Sequence, residues 1–222
     1  MKKILIDVDE TITNNIEKWR VWYYNETGIV LELDGTEDFS YLELDPLDYF
    51  KRKDFYKYSV LNDGVLEFID LVKDNYEIIF CSCCFPEHVE SKKDFLARSF
   101  PDLEYHFVDT CSKFLLDVDF VIDDRAEYLR GFKDNVVKFQ MITTVNHCHE
   151  YEGMKYSNWR DIIEYFKNEI FVDEIINEAS DRAYEHVSEL MDRDNPDFMD
   201  LLNELTEEYY YEILEELEEE MV

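Results

Sequence analysis

A short apolar run near the start of the chain, Ile4-Leu5-Ile6, stops abruptly on Asp7-Val8-Asp9-Glu10-Thr11. A run of this length with no polar alternation predicts a strand buried on both faces, and the acids stand where it ends. Comparable runs follow at residues 76–81, 120–122 and 136–139, and each comes after a stretch of helical periodicity, such as residues 65–72. Strands alternating with helices predict an α/β fold: a parallel sheet flanked by helices and joined by right-handed crossovers. More than 50 residues separate the first strand from the helix at Val65, too many for a plain loop. Residues 14–62 are therefore expected to form a small helical insertion over one end of the sheet, with Trp19, Trp22, Tyr23 and Tyr24 in one helix and Asp45-Pro46-Leu47-Asp48 opening another.

Ligands of open α/β sheets bind beyond the carboxyl ends of strands, so residues at those ends carry the chemistry. Residues i and i+2 of a strand share a side, which lets Asp7 and Asp9 face one point, and a divalent cation there would relieve their repulsion. The plain alternative is a turn at a strand end. Ser82 closes the second run, and its hydroxyl can donate to an anionic oxygen, although serine is also common at loop starts. Lys113 precedes the paired acids Asp123-Asp124, which follow the third run directly. Buried acids require a cation, and a lysine can serve both them and a phosphoryl group. One of the pair could instead cap the helix that begins near Arg125.

The joint set Asp7-Val8-Asp9-Glu10-Thr11, Ser82, Lys113 and Asp123-Asp124 resembles the motifs of the haloacid dehalogenase (HAD) superfamily of phosphohydrolases, over about residues 1–167. It is most similar to the 5'(3')-deoxyribonucleotidase (5'-nucleotidase, deoxy, type C) family, through Ile79-Phe80-Cys81-Ser82, the stretch from Lys113 to Asp124, and the Lys92-Lys93-Asp94-Phe95-Leu96 segment before Phe100-Pro101. The resemblance implies a HAD-like Rossmannoid sheet with a cap inserted after the first strand. It also implies hydrolysis of (deoxy)nucleoside monophosphates to nucleoside and phosphate through an aspartyl-phosphate. Asp7 would be the nucleophile, and Asp9 the acid that protonates the leaving alkoxide and then takes a proton from water. Mg²⁺ would be held by Asp7, the Asp9 carbonyl and Asp123. Ser82, Lys113 and Thr11 would bind the phosphate, while Asp124 would reach the metal through water or orient Lys113. Two positions depart from the family pattern: Glu10 where glycine is common, and Asn15 where an aromatic contacts the base. Base stacking would then fall to Trp19, Trp22, Tyr23 or Tyr24, unless these form the insertion's own core. The two rival functions are a HAD phosphatase acting on another small phosphate ester, and an acidic partner-binding protein built on the same scaffold.

Net charge is −32, from 54 acidic and 22 basic residues among 222, which argues against double-stranded nucleic acid as a partner. Residues 168–222 hold 20 of the acids and two of the bases. Their apolar positions, stepping by three and four on either side of Asn195-Pro196, predict an acidic helical hairpin beyond an α/β domain of residues 1–167. Its stripes pack on each other or on the domain, with a homodimer or protein-partner contact as the second reading. No apolar run is long enough to span a membrane, and Asp7 interrupts the N-terminal run too early for a signal peptide, so a cytoplasmic location is expected. The five cysteines do not suggest a secreted disulfide framework. Cys81, Cys83, Cys84, Cys111, His147, Cys148 and His149 do not fit zinc spacing. Asn25-Glu26-Thr27 matches a glycosylation acceptor that a cytoplasmic chain would not use.

Overall fold

The computed structural model describes residues 1–32, 49, 52–143, 153–156 and 158–220. Six strands, β1 (Lys2–Asp7), β2 (Tyr76–Ser82), β3 (His106–Asp109), β4 (Phe120–Asp123), β5 (Val137–Met141) and β6 (Met154–Tyr156), form one sheet in the order β3-β2-β1-β4-β5-β6. Every pairing is parallel. Ile4, Leu5, Ile6, Val121 and Ile122 are wholly buried, as apolar runs without alternation require of strands covered on both faces. β6 has only three residues and no apolar run, so nothing in the sequence announced it.

Helices α1 (Asn15–Thr27), α2 (Val65–Val72), α3 (Val89–Ser99) and α4 (Ala126–Gly131) fill the crossovers, followed by α5 (Trp159–Leu190) and α6 (Phe198–Glu220). On one face of the sheet Leu5, Ile79 and Val121 pack with Leu129, Phe132 and Val136, each large aliphatic side chain contributing about 1.5–3 kcal/mol by leaving water. Elsewhere the first turn of α5 seats Trp159 against Phe68 at 4.9 Å between ring centroids, and its indole N–H donates to the Thr11 carbonyl at 3.3 Å. The close approach explains Gly64, which has φ +87°: a Cβ there would lie 2.8 Å from that of Trp159.

The insertion leaves and rejoins the sheet through adjacent strands of backbone. Thr13 and Leu61 form an antiparallel bridge, and the Asn62 amide donates to the Ile12 carbonyl at 2.8 Å. Within it, Asn14 caps α1 by accepting from the Glu17 amide at 3.1 Å, and Gly28 ends the helix in the left-handed conformation. Trp19 and Tyr23 are buried with Ile16 and Leu31. These two aromatics form a core and do not present faces to a ligand, which corrects the stacking role considered for them; Trp22 leans on Tyr49 and Tyr24 is exposed. The second helix expected at Asp45-Pro46-Leu47-Asp48 lies outside the described residues.

The chain divides into two compact units, Met1–Ile163 and Glu164–Val222. No glycine or proline interrupts residues 159–190, so α5 runs through residue 168, and the change in composition there falls inside a helix and marks no linker. In the second unit Ile175 and Ala179 of α5 pack with Ile213, Leu214 and Leu217 of α6, and Arg182 bridges Glu178 and Glu216. Val172, Ile176 and Leu190, apolar positions in the same three-and-four spacing, are exposed. Among the described residues no helix is long and apolar enough to cross a membrane.

Candidate active site

Strand order reverses between β1 and β4, and the crevice outside their carboxyl ends is where such sheets bind ligands. Asp7 is the last residue of β1, Ser82 of β2 and Asp123 of β4. A cavity of about 310 Å³ at this end is lined by Asp7, Asp9, Ser82, Lys113, Asp124 and Arg125, among others. Asp123 is wholly buried beside it.

Lys113 reaches the crevice from a short turn, Lys113–Leu115, that follows β3. Its buried ammonium donates to Asp7 Oδ1 and Asp123 Oδ2, both at 2.5 Å, and stands 4.6 Å from the centre of the Tyr128 ring. The other oxygen of Asp123 accepts from the Arg125 amide at 2.9 Å. Asp123 thus pairs with lysine and closes a turn just ahead of α4, whose N-cap residue, Arg125, carries no side-chain capping bond. Burial pushes Asp7 up to about 7 despite Lys113, with Asp123 and Asp9 adding to the rise. Burial also holds the Asp124 carboxyl well above the ordinary range, reinforced by Asp123 and Asp7. For Lys113 burial opposes the charge, yet Asp7 and Asp123 outweigh it and the ammonium is stabilised.

Asp9 is half-buried and surrounded by donors. Its Oδ1 accepts from the Tyr56 hydroxyl at 2.5 Å and the Asn15 amide group at 3.2 Å. Its Oδ2 accepts from Lys92 at 2.6 Å and Ser82 at 3.2 Å, and Lys92 also donates to Ser82 Oγ at 2.5 Å. Burial alone would raise this carboxyl, but the Lys92 charge and the bonds from Lys92, Tyr56 and Ser82 bring it below its ordinary value. Glu10, at φ 60°, occupies a backbone conformation that glycine adopts freely. Its Oε1 accepts from the Asn15 and Ile16 amides at 2.7 and 2.9 Å, which caps α1, and burial lifts it to about 8.

The buried carboxylates of Asp7, Asp123 and Asp124 have ligand oxygens within 4.8 Å of one another. Three acids share one lysine, two of them with carboxyls raised by burial and by each other's charge, and a hard divalent cation such as Mg²⁺, which suits all-oxygen donors, would let them ionise. The residues present therefore fit the metal that the motif resemblance implies, with the carboxylate of Asp9 outside that group and turned to Lys92. Thr11 is placed differently from its expected phosphate role: it is wholly buried and absent from the cavity lining, its carbonyl accepts from Asn62 and Trp159, and its hydroxyl has no hydrogen-bond partner among the described residues.

Lys92 and Tyr56 were not assigned roles from sequence. Lys92 lies three and four residues before Phe95 and Leu96 on the buried face of α3, and that spacing, with its place in the segment that resembles the nucleotidase family, is its signal in the sequence. Tyr56 comes from the turn Phe55–Tyr58 of the insertion, 47 residues from Asp9, with no local pattern to mark it. A second cavity, of about 290 Å³, adjoins the first through Asp9, Glu10 and Arg125 and is walled by Phe55, Phe85 and His88, with Phe55 and His88 stacked at 5.3 Å. Cys83 and Cys111 are joined by a disulfide with their Cα atoms 4.6 Å apart, a bridge that the sequence reading did not assign. Their pairing follows from β2 and β3 being neighbours, not from sequence spacing. Of the remaining zinc candidates, Cys81 is buried, Cys84 is half-buried, and His147, Cys148 and His149 lie outside the described residues.

No protein-family model matches the sequence. It is 21% identical over 176 residues to a Staphylococcus epidermidis protein named "Putative 5'(3')-deoxyribonucleotidase", covering 75% of this chain and 97% of that protein. A Staphylococcus aureus protein of the same name is 22% identical over 178 residues, covering 76% and 97%. Among solved structures, the HAD-hydrolase YfnB of Bacillus subtilis, described as bound to magnesium, superposes with a TM-score of 0.50 at 14% identity over 74% of this chain and 97% of that one. The haloacid dehalogenase-like protein SP0104 of Streptococcus pneumoniae does so with 0.50 at 10% identity over 75% and 98%. The fold is the HAD-like, Rossmann-type α/β fold.

Proposed function

We propose that this chain is a Mg²⁺-dependent phosphomonoesterase acting through an aspartyl-phosphate, with (deoxy)nucleoside monophosphates as its substrates. The observation that carries the reading is the gathering of Asp7, Asp9, Ser82 and Lys113, from distant parts of the chain, around one cavity at the strand-order reversal. Asp7 attacks phosphorus, splitting one displacement into two. Ser82 and the two buried lysines, Lys113 and Lys92, meet the non-bridging oxygens, where most of the stabilisation in phosphoryl transfer is needed. Asp9 gives a proton to the leaving alkoxide and takes one from the attacking water, so it ends the cycle as it began. A divalent cation held by Asp7, Asp123, Asp124 and the Asp9 carbonyl would neutralise phosphate charge.

The names of the staphylococcal relatives and the aromatic walls of the second cavity favour a base-bearing leaving group. The second reading, another small phosphate ester, is favoured by Asn15. Its side chain bonds Asp9 and accepts from Ser59 at 3.0 Å, where the related family has an aromatic facing the base. A cytoplasmic location belongs to the same proposal. Phosphate release from a panel of nucleotides and sugar phosphates, with and without Mg²⁺, tests it. Metal-dependent turnover of nucleoside monophosphates is expected; sugar phosphates turning over faster would favour the second reading, and no release from any ester would overturn both.

A further inference from the structure

Asp9 is held from two directions. The sheet and α3 supply Ser82 and Lys92 to Oδ2, while the insertion supplies Tyr56 and Asn15 to Oδ1. The Tyr56 ring is buried, packed edge-on against Phe55 and His88 and tilted on Phe95, with the Lys92 ammonium 4.9 Å from its centre. Its backbone is fixed as well, because the Arg98 guanidinium of α3 donates to the Tyr56 carbonyl at 2.8 Å. The ring so held brings its hydroxyl to Asp9 Oδ1 at 2.5 Å.

We infer that Tyr56, assisted by Asn15, is a positioning residue for the acid–base carboxylate: by anchoring Oδ1 from the insertion it fixes the plane of the group, and so the direction in which Oδ2, the oxygen beside Ser82 and Lys92, meets the leaving group and water. This rests on the phosphomonoesterase reading above. In the first step, with Lys92 drawn to the phosphate and Asp9 protonated, the ester P–O bond breaks as Asp7 bonds phosphorus, and the alkoxide takes the proton from Asp9 Oδ2, giving free alcohol and an ionised Asp9. In the second step water bonds phosphorus, its proton passes to Oδ2, and the Asp7–phosphorus bond breaks to give inorganic phosphate. Tyr56 keeps its own proton throughout. Misplacing Oδ2 harms the first step only where the leaving oxygen needs a proton, as an alkoxide does and a stabilised phenolate does not.

The test compares Tyr56→Phe with the parent chain on an alkyl ester, a nucleoside 5'-monophosphate, and on an aryl ester, 4-nitrophenyl phosphate. The expected loss in kcat/KM is roughly 10- to 100-fold on the alkyl ester and within about threefold on the aryl ester, with inhibition by inorganic phosphate little altered. A second measurement repeats the substitution in an Asp9→Asn background, where it should lower alkyl turnover no further. Equal losses on both esters, or a full further loss in the Asp9→Asn background, would overturn the inference while leaving the phosphomonoesterase reading intact. A parent chain that hydrolyses neither ester would instead overturn that reading.

Discussion

Replacing Asp7 by Asn should abolish turnover and, without metal, make the protein more stable. Asn imitates the protonated carboxyl, so the variant removes the penalty of keeping a charge where burial has lifted its pKa from an ordinary 3.8 to about 7. The sign follows from proton counting: the folded chain holds the Asp7 proton more tightly than the unfolded chain, so this group's contribution is full below 3.8 and is lost as pH rises through about 7. At about 1.4 kcal/mol per pKa unit, the parent is penalised by roughly 4 kcal/mol at pH 8 and by less than half of that at pH 5. The assay is urea denaturation in the presence of a chelator, followed by tryptophan fluorescence. All three tryptophans, Trp19, Trp22 and Trp159, belong to the unit Met1–Ile163, so the signal reports the part that carries the site. Asp7→Asn should exceed the parent by several kcal/mol at pH 8, the gap should shrink by about 2–3 kcal/mol at pH 5, and Mg²⁺ should narrow it at pH 8 by stabilising the parent. A variant no more stable than the parent at pH 8 without metal would refute the claim that Asp7 is held at a cost only a cation offsets.

Other perturbations probe neighbouring parts of the site and fold. Lys113→Met leaves Asp7 and Asp123 without their shared cation, so calorimetry should register a loss of about 3–5 kcal/mol near neutral pH, and phosphate release should vanish. For Glu10, lifted from 4.5 to about 8, stability from the retained proton is full below 4.5 and lost as pH rises through about 8. Glu10→Gln, which keeps the α1 cap, should therefore flatten the decline in melting temperature between pH 5 and 9, whereas Glu10→Ala, which removes it, should cost about 1 kcal/mol or more at every pH. Gly64→Ala forces a Cβ against Trp159 at a positive φ and should destabilise the first unit by about 1–3 kcal/mol, read as a lower urea midpoint.

The parts of this molecule legible in the sequence are those fixed by covalent neighbourhood. Asp7, Ser82 and Asp123 terminate strands that apolar runs reveal, so their convergence follows once the strands are parallel and adjacent. Lys113 was readable through its motif with Asp123-Asp124. What depends on packing between remote elements was not readable: the Lys92 ammonium turned inward from a helix, the Tyr56 hydroxyl delivered by the insertion, and the Cys83–Cys111 bridge made by the pairing of β2 with β3. The aromatics of α1 illustrate the same limit. Composition offered a stacking platform, but the helical spacing of Ile16, Trp19 and Tyr23 puts them on one face, which the insertion buries. Thr11 belongs to a motif at the site and yet turns into the core, because β1 has ended and alternation no longer governs direction.

The central claim is that Asp7 becomes covalently phosphorylated at a centre assembled from three strand ends. Rapid acid quench of a single turnover with a nucleoside monophosphate and Mg²⁺, followed by peptide mass spectrometry, measures this directly. One added phosphoryl group should appear on the peptide carrying Asp7, rise and decay within the turnover, and be missing in Asp7→Asn. Turnover with that peptide unmodified at every time point, or a phosphoryl group found on another residue, would contradict the account.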